Sequence, residues 1–158
     1  MANACPEITD LDLAEAFSLA ITMEDEGYKF YDGVLQKLEN QRAKNELAYL
    51  RDEELKHKNL FTKLLKDSGN EFVKNEESDL HCWVNDQIIT PMQEALEKME
   101  PRSAQQALQM GVQLESMAID MFERLKKIVK DKESAKAIKE VLKVEKKHKK
   151  LLTIIMAY

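Results

Sequence analysis

The tetrapeptide Glu54-Leu55-Lys56-His57 and its partial copy Glu145-Lys146-Lys147-His148 contain two of the three histidines in this chain of 158 residues. A further glutamate precedes each copy by 30 residues, Glu24 in the first case and Glu115 in the second. The whole pattern therefore occurs twice, with a shift of 91 residues. Because helix positions i and i+3 lie on one face, each Glu-x-x-His pair can direct a carboxylate and an imidazole at one point. We interpret the six residues as ligands of a two-metal site.

Hydrophobic residues recur at alternating steps of four and three around each of these glutamates and histidines. This spacing predicts four long helices whose inward faces carry the six polar residues. The composition agrees, because the chain has only four glycines and three prolines. The predicted inward faces consist of Leu13, Phe17, Ala20, Gly27, Tyr31, Val34 and Leu38; Ala43, Leu47, Leu50, Phe61 and Leu64; Leu108, Gly111, Ala118, Phe122, Leu125 and Val129; and Ile138, Val141, Leu152 and Ile155.

The length of the chain is that of one ordinary domain, so we predict a single domain over residues 1–158. Within it, residues 1–9 are predicted to form an N-terminal arm. Thr9 and Asp12 have the spacing of a capping box, which would begin the first helix directly after the arm.

Residues 68–101 are predicted to form a long connection between the second and third helices. The sequence Asp67-Ser68-Gly69-Asn70 is typical of a helix end. Later in the connection, Thr90 as N-cap and Pro91 at the first helical position predict a short helix to about Met99. A connection of this length lets the second and third helices run in the same direction, so the predicted fold is an all-α four-helix bundle with one long crossover.

Charge and composition exclude several classes of function. The net charge of −5 argues against nucleic acid as a partner. The sequence has no apolar run long enough to span a membrane and no basic, apolar leader, so we expect no membrane contact and a cytoplasmic location. Cys5 and Cys82 form no Cys-x-x-Cys motif, and a thiolate-bound metal centre is therefore not predicted.

The chemistry of buried carboxylates explains why metal is expected. An ionised carboxylate that is buried without a partner costs on the order of several kcal/mol. Four of them could use up the roughly 5–15 kcal/mol that stabilises a typical domain. Two divalent cations would balance the four negative charges, and oxygen and nitrogen ligands without thiolate suit iron or manganese, with zinc also possible. Two alternatives stay open, a metal-free hydrogen-bond network and a purely structural zinc site.

One glutamate from each of two helices and a Glu-x-x-His pair from each of two others is the ligand set of the ferritin-like carboxylate proteins. The chain resembles this superfamily, and specifically the rubrerythrin-type diiron proteins, over about residues 10–157. The resemblance implies a ferritin-like four-helix bundle. The stretches that carry it are Ala20–Tyr31, Glu54–His57, Glu115–Phe122 and Glu145–His148.

The resemblance also implies roles for the individual residues. Glu54 and Glu145 would bridge two iron ions. The remaining four residues would supply the terminal ligands, in the pairs Glu24 with His57 and Glu115 with His148. In this family the iron pair reacts with dioxygen or hydrogen peroxide. Rubrerythrins reduce peroxide in this way, whereas ferritins oxidise iron for storage.

Two differences from rubrerythrins bear on function. Rubrerythrins usually have an additional carboxylate three residues after the glutamate of the third helix, where this chain has Ala118. Full-length rubrerythrins carry a cysteine-rich rubredoxin domain, and the resemblance is to a form without it. The resemblance therefore implies that electrons come from a separate donor protein.

Tyr31 is the candidate catalytic residue, because it lies two helical turns after Glu24 on the same face. It resembles the tyrosine beside family diiron sites, and it could donate a hydrogen bond to a ligand or supply an electron. The alternative is a buried tyrosine whose hydroxyl has only a structural partner. Its counterpart in the second half is Phe122, and Tyr28 is a weaker candidate. His81, in the connection, is expected to lie at the surface or to pack across the bundle.

These observations favour a diiron redox enzyme that reacts with hydrogen peroxide or dioxygen. The alternatives from other classes are an iron-binding, ferroxidase or storage protein, and a structural bundle loaded with zinc. A homodimer is expected, because methionine and phenylalanine occur on faces predicted to be exposed.

Overall fold

The computed structural model of the chain describes residues 5–6, 12–73, 79–98 and 104–156. These ranges are almost entirely helical, which confirms the predicted all-α fold. The helices are α1 (Leu13–Lys37), α2 (Gln41–Asp67), α3 (Asp79–Val84), α4 (Thr90–Glu97), α5 (Ala104–Ile128) and α6 (Lys132–Met156). The four long helices α1, α2, α5 and α6 form a bundle, and the short helices α3 and α4 belong to the crossover.

The ends of the first two helices follow from local hydrogen bonds. The capping box at the start of α1 is formed by Asp12 and Glu15, so its prediction at Thr9 and Asp12 was wrong by one turn. The Asp12 carboxylate accepts a bond of 2.8 Å from the Glu15 N–H, and the Glu15 carboxylate accepts one of 3.2 Å from the Asp12 N–H. Thr9 lies outside the described residues. The predicted end of α2 is confirmed, with Gly69 at a φ of +78° that suits glycine.

The crossover is more helical than predicted. Its helix begins at Asp79, not at Thr90, because a π-helical turn over Asn85–Ile89 joins α3 directly to α4. In this turn the Thr90 N–H donates to the carbonyl of Asn85, five residues earlier. A π turn widens the helix immediately before Pro91, whose ring would clash with a carbonyl in a regular α-helix. Pro91 therefore lies inside a continuous helical segment and does not begin one.

Two helix pairs make up the bundle. Helix α1 packs along α2, α5 packs along α6, and the pairs meet through α1 against α5 and α2 against α6. The crossover helices lie against α1. Most residues of the predicted inward faces are buried in one continuous core, and the half-buried ones are Leu13, Leu64, Val129 and Ile155. The core therefore surrounds the level of the bundle at which the candidate ligands lie.

A disulfide between Cys5 and Cys82 connects the segment before α1 to α3, with 5.8 Å between the two Cα atoms. The sequence analysis did not predict this bond, because 77 residues separate the cysteines and only the folded chain brings them together. Among the helices of the described ranges, none combines the length and the apolar composition that crossing a membrane requires.

Candidate metal centre

All six predicted ligands lie inside the bundle at one level. Helix α1 contributes Glu24, α2 contributes Glu54 and His57, α5 contributes Glu115, and α6 contributes Glu145 and His148. Glu145 is fully buried, and His57, the most exposed of the six, retains only 6% of its accessible surface. The helical stripe that buries apolar residues above and below each ligand therefore also removes these charged groups from water.

The six residues form two groups of potential metal ligands. One group contains Glu24, Glu54, His57 and Glu145, and the other contains Glu54, Glu115, Glu145 and His148. In each group, one ligand atom from each residue lies within 4.8 Å of the others. Glu54 and Glu145 belong to both groups, which is the arrangement required of carboxylates that bridge two ions.

The imidazoles direct the same nitrogen into the centre. Nδ1 of His57 lies 2.9 Å from the Glu145 carboxylate and 3.4 Å from that of Glu24. Nδ1 of His148 lies 3.5 Å from Glu145, and 3.9 Å from both Glu54 and Glu115. Because each Nδ1 faces several carboxylates at once, both histidines are placed where they could act as ligands of one shared cluster.

Burial changes the protonation of the carboxyl groups. It raises the pKa values of Glu24, Glu54 and Glu115 well above the ordinary value, and the negative charges of the neighbouring glutamates raise them further. Glu145 is the exception. Burial alone would raise its pKa, but contacts with the Glu115 carboxyl and with both imidazoles lower it below its usual range. Without metal, the centre therefore retains protons that cations would replace.

Several polar atoms of the centre have no hydrogen-bond partner among the described residues. They are both carboxylate oxygens of Glu24, one oxygen each of Glu115 and Glu145, and both ring nitrogens of His148. Buried polar atoms are normally paired, because leaving one unpaired costs about 1–3 kcal/mol. All these groups are oxygen or nitrogen ligands, so the set fits hard or borderline divalent cations such as iron, manganese or zinc.

Gly27 provides the space for the carboxylate of Glu54, which belongs to both groups of potential ligands. A Cβ atom added at this position would lie 3.0 Å from Oε2 of Glu54 and 3.2 Å from its carboxyl carbon. The absence of a side chain on α1 therefore allows Glu54 to reach the shared position. The sequence analysis placed Gly27 on the inward face without assigning it a role, although a glycine three residues after a ligand in a helix interior was a usable indication.

Tyr31 is fully buried and donates a hydrogen bond of 2.6 Å to the Glu115 carboxylate. Burial raises its pKa well above the ordinary value, and the nearby charge of Glu115 raises it further, so the hydroxyl stays protonated as a donor. Its role in catalysis remains a proposal. Tyr28 is only half-buried, and the half-buried His81 contacts Asn85 through its Nε2 at 2.8 Å, within the crossover.

Residues 12–157 match the family model of the ferritin-like domain. No curated protein and no solved structure was found to match the chain. The matched region contains all four long helices and all six residues of the candidate centre. The more specific rubrerythrin-type assignment stays a prediction. Because the match covers nearly the whole sequence, the chain belongs to the ferritin-like domain family.

Proposed function

We propose that this ferritin-like protein binds two iron ions in the bundle core and reacts with hydrogen peroxide or dioxygen, using electrons from a separate donor protein. The observation that supports this proposal best is that Glu54 and Glu145 belong to both groups of buried ligands. Two ions that share two carboxylates can act together on one small oxidant. Bound iron would supply the exchange of electrons between its ferrous and ferric states.

Charge balance supports two ions over one. The four glutamates carry four negative charges when ionised, and two divalent cations neutralise them. The raised pKa values of Glu24, Glu54 and Glu115 indicate that burial disfavours the ionised form in the absence of metal. Metal binding would therefore release protons, and the affinity for metal should increase with pH.

The protein's own residues provide the setting for the reaction. Reduction of one hydrogen peroxide molecule to two water molecules breaks the O–O bond and consumes two electrons and two protons. The bundle keeps bulk water away from the ligands, which are buried. Tyr31 holds the Glu115 carboxylate by a short hydrogen bond and keeps a proton at that position. We propose that Tyr31 acts at the second metal position, where Glu115 and His148 lie.

Cys5 and Cys82 are joined to each other, so neither offers a free thiolate to a metal. The separate donor protein is part of the proposed function. The donor, the homodimer and the cytoplasmic location all stay proposals. Because disulfides persist mainly in oxidising compartments, thiol labelling of Cys5 and Cys82 at cell lysis would test the location directly.

An anaerobic titration with ferrous iron, followed by parallel exposure to peroxide and to air, tests the proposed function. We expect saturation at two irons per chain, rapid oxidation by peroxide, and re-reduction by a small-molecule reductant without loss of iron. Continued iron uptake far beyond two per chain during exposure to air would instead support storage. Binding of zinc but not of iron would support a structural bundle and contradict the proposal.

A further inference from the structure

The ring of Tyr49, on α2, lies against the imidazole of His148, on α6. The two ring centroids are 6.2 Å apart and the ring planes meet at 81°, an edge-to-face arrangement. Tyr49 is 51% exposed, whereas His148 is buried. Tyr49 therefore lies between a buried candidate ligand and the solvent, although the inward stripe that predicted the six ligands does not include it.

The imidazole of His57 is a second ring beside His148. Its centroid is 6.0 Å from that of His148, and the two imidazole planes are within 19° of parallel. The His148 ring therefore neighbours two rings, that of the exposed Tyr49 and that of the buried His57.

The two histidines differ in their hydrogen bonds. The Nδ1 of His57, which faces the centre, lies 2.9 Å from the Glu145 carboxylate, within hydrogen-bond distance. Neither ring nitrogen of His148 makes a hydrogen bond to a described residue, and both are shielded from solvent. A metal-binding histidine usually has its second ring nitrogen bonded to a partner that fixes the ring. For His148, ring packing is the contact that can serve this purpose.

The sequence repeat shows that this aromatic contact is specific to one half. With the shift of 91 residues, the counterpart of Tyr49 is Glu140. Glu140 is exposed on α6 and pairs with Lys143 at 3.5 Å. The position equivalent to Tyr49 therefore carries a solvated charge in the second half, and no ring.

We propose that Tyr49 is a positioning residue for the second metal position, where its ring holds the His148 imidazole with Nδ1 directed into the centre and keeps water away from Nε2. This inference rests on the proposed two-metal function. Without the ring, the imidazole could rotate and its Nε2 could bind water. The second position should then lose affinity, whereas the first position, formed with Glu24 and His57, should keep it.

The test compares Tyr49→Ala with Tyr49→Phe, which retains the ring. Leu60→Ala is the matched control, because Leu60 is an exposed apolar residue three turns later on the same side of α2. Each folded variant is titrated with cobalt(II) alone, and binding is followed by the visible absorption of the bound ion and by calorimetry. Circular dichroism and thermal unfolding verify that each bundle is intact.

We expect the wild type, Tyr49→Phe and Leu60→Ala to bind two cobalt ions alike. Tyr49→Ala should bind one ion normally and the other about 10- to 100-fold more weakly, with an altered absorption spectrum for that ion only. Wild-type affinity at both positions of Tyr49→Ala would overturn the inference and leave the two-metal proposal intact. Equal weakening of both positions, or a Tyr49→Phe variant as weak as Tyr49→Ala, would also overturn it. Failure of the wild type to bind two ions would instead contradict the proposed function.

Discussion

The N-terminal helix pair, α1 with α2, and the C-terminal pair, α5 with α6, supply corresponding candidate ligands but surround them with different side chains. Gly27 lies beside Glu54 in the first pair, and its counterpart in the second pair is Ala118. Tyr31 corresponds to Phe122, which has no hydroxyl. The repeated pattern therefore gives both halves the same candidate ligands, and the neighbouring residues make the surroundings of the two proposed metal positions different.

The first pair also supports ligands of the second pair. Tyr31 on α1 donates to Glu115 on α5, and Tyr49 on α2 packs on His148 of α6. Both contacts concern the same group of potential ligands, the one with Glu115 and His148. This group thus contacts two tyrosines, the buried Tyr31 and the exposed Tyr49. The comparison teaches that sequence similarity between the halves does not imply equal chemistry at the two positions.

Replacing a shared ligand should have the largest effect. We expect Glu54→Ala to abolish binding of both ions, because both groups lose a carboxylate, whereas Glu24→Ala should remove only the first. Iron per chain, measured after desalting, distinguishes these outcomes. The matched control is Glu53→Ala, which removes an adjacent carboxylate that pairs with Lys56 at 3.2 Å. Retention of two irons by Glu54→Ala would contradict the bridging role.

Gly27→Ala should weaken metal binding by about tenfold or more, the size of effect seen when the support of a ligand is lost. The added Cβ would lie 3.0 Å from the Glu54 carboxylate and force it to move. Helix propensity alone would make alanine more favourable than glycine by about 0.5–1 kcal/mol. Calorimetric titration and thermal unfolding should therefore show weaker binding without a loss of helical structure.

Gly33→Ala, in the same helix but about 9 Å further along its axis, is the control for Gly27→Ala. It should keep the wild-type affinity for metal, because it lies more than two turns beyond Glu24. If both alanine variants bind metal like the wild type, the space at Gly27 has no importance for the site.

The metal-free protein should become less stable as the pH rises. The pKa values of Glu24, Glu54 and Glu115 are raised by burial and by neighbouring carboxylates. Their contribution to the free energy of unfolding is therefore full below their ordinary pKa of 4.5 and is lost as the pH rises from there through the raised pKa values. The pKa of His57 is raised as well; burial alone would lower it, but Glu145 and Glu54 stabilise its charged form. The contribution of His57 to stability is therefore lost as the pH rises above its ordinary pKa of 6.5, as it is for the three glutamates.

Thermal unfolding with a chelator, between about pH 5 and about pH 8, measures this trend. With saturating metal the trend should reverse, because cations replace the protons. Glu24→Gln and Glu115→Gln change one terminal carboxylate in each half, and each should reduce the slope of the metal-free curve. A metal-free stability that rises steadily over this range would contradict the assignment of protons to the centre.

Tyr31→Phe should have the smallest effect on metal binding, because it gives the first half the residue that the second half has at Phe122. Loss of this buried hydrogen bond leaves the Glu115 oxygen without its partner and should lower the free energy of unfolding by about 1–3 kcal/mol, with two irons still bound. Urea unfolding and iron analysis test both statements. Tyr28→Phe, at a half-buried position of the same helix, should change neither quantity. If the two substitutions have equal effects, the hydroxyl of Tyr31 does not make the two halves different.

The sequence predicted those features that depend on helical periodicity. Glu54 and His57 could be placed inside the bundle because apolar residues occur one turn away on each side, and α2 buries both side chains as expected. The end of α2 was predictable because Gly69 supplies a conformation that few other residues adopt. The repeat predicted Glu54 as a ligand, and the structure places Glu54 in both groups of potential ligands.

Features that depend on the tertiary arrangement were not predictable. The Cys5–Cys82 disulfide and the contact of Tyr49 with His148 each join distant parts of the chain, and nothing local in the sequence indicates either pair. The prediction of where the crossover helix starts was wrong. Proline usually marks a helix boundary, but here a π turn accommodates Pro91 inside a helical segment. Periodicity thus determines which face a residue occupies, but not which distant residue it meets.

A crystal structure of the protein grown with ferrous iron, with anomalous scattering recorded at the iron absorption edge, tests the central claim most directly. We predict two iron peaks inside the bundle, with Glu54 and Glu145 between them, Glu24 and His57 on one ion, and Glu115 and His148 on the other. A bundle with the six side chains bonded to one another and no iron peak among them would contradict it.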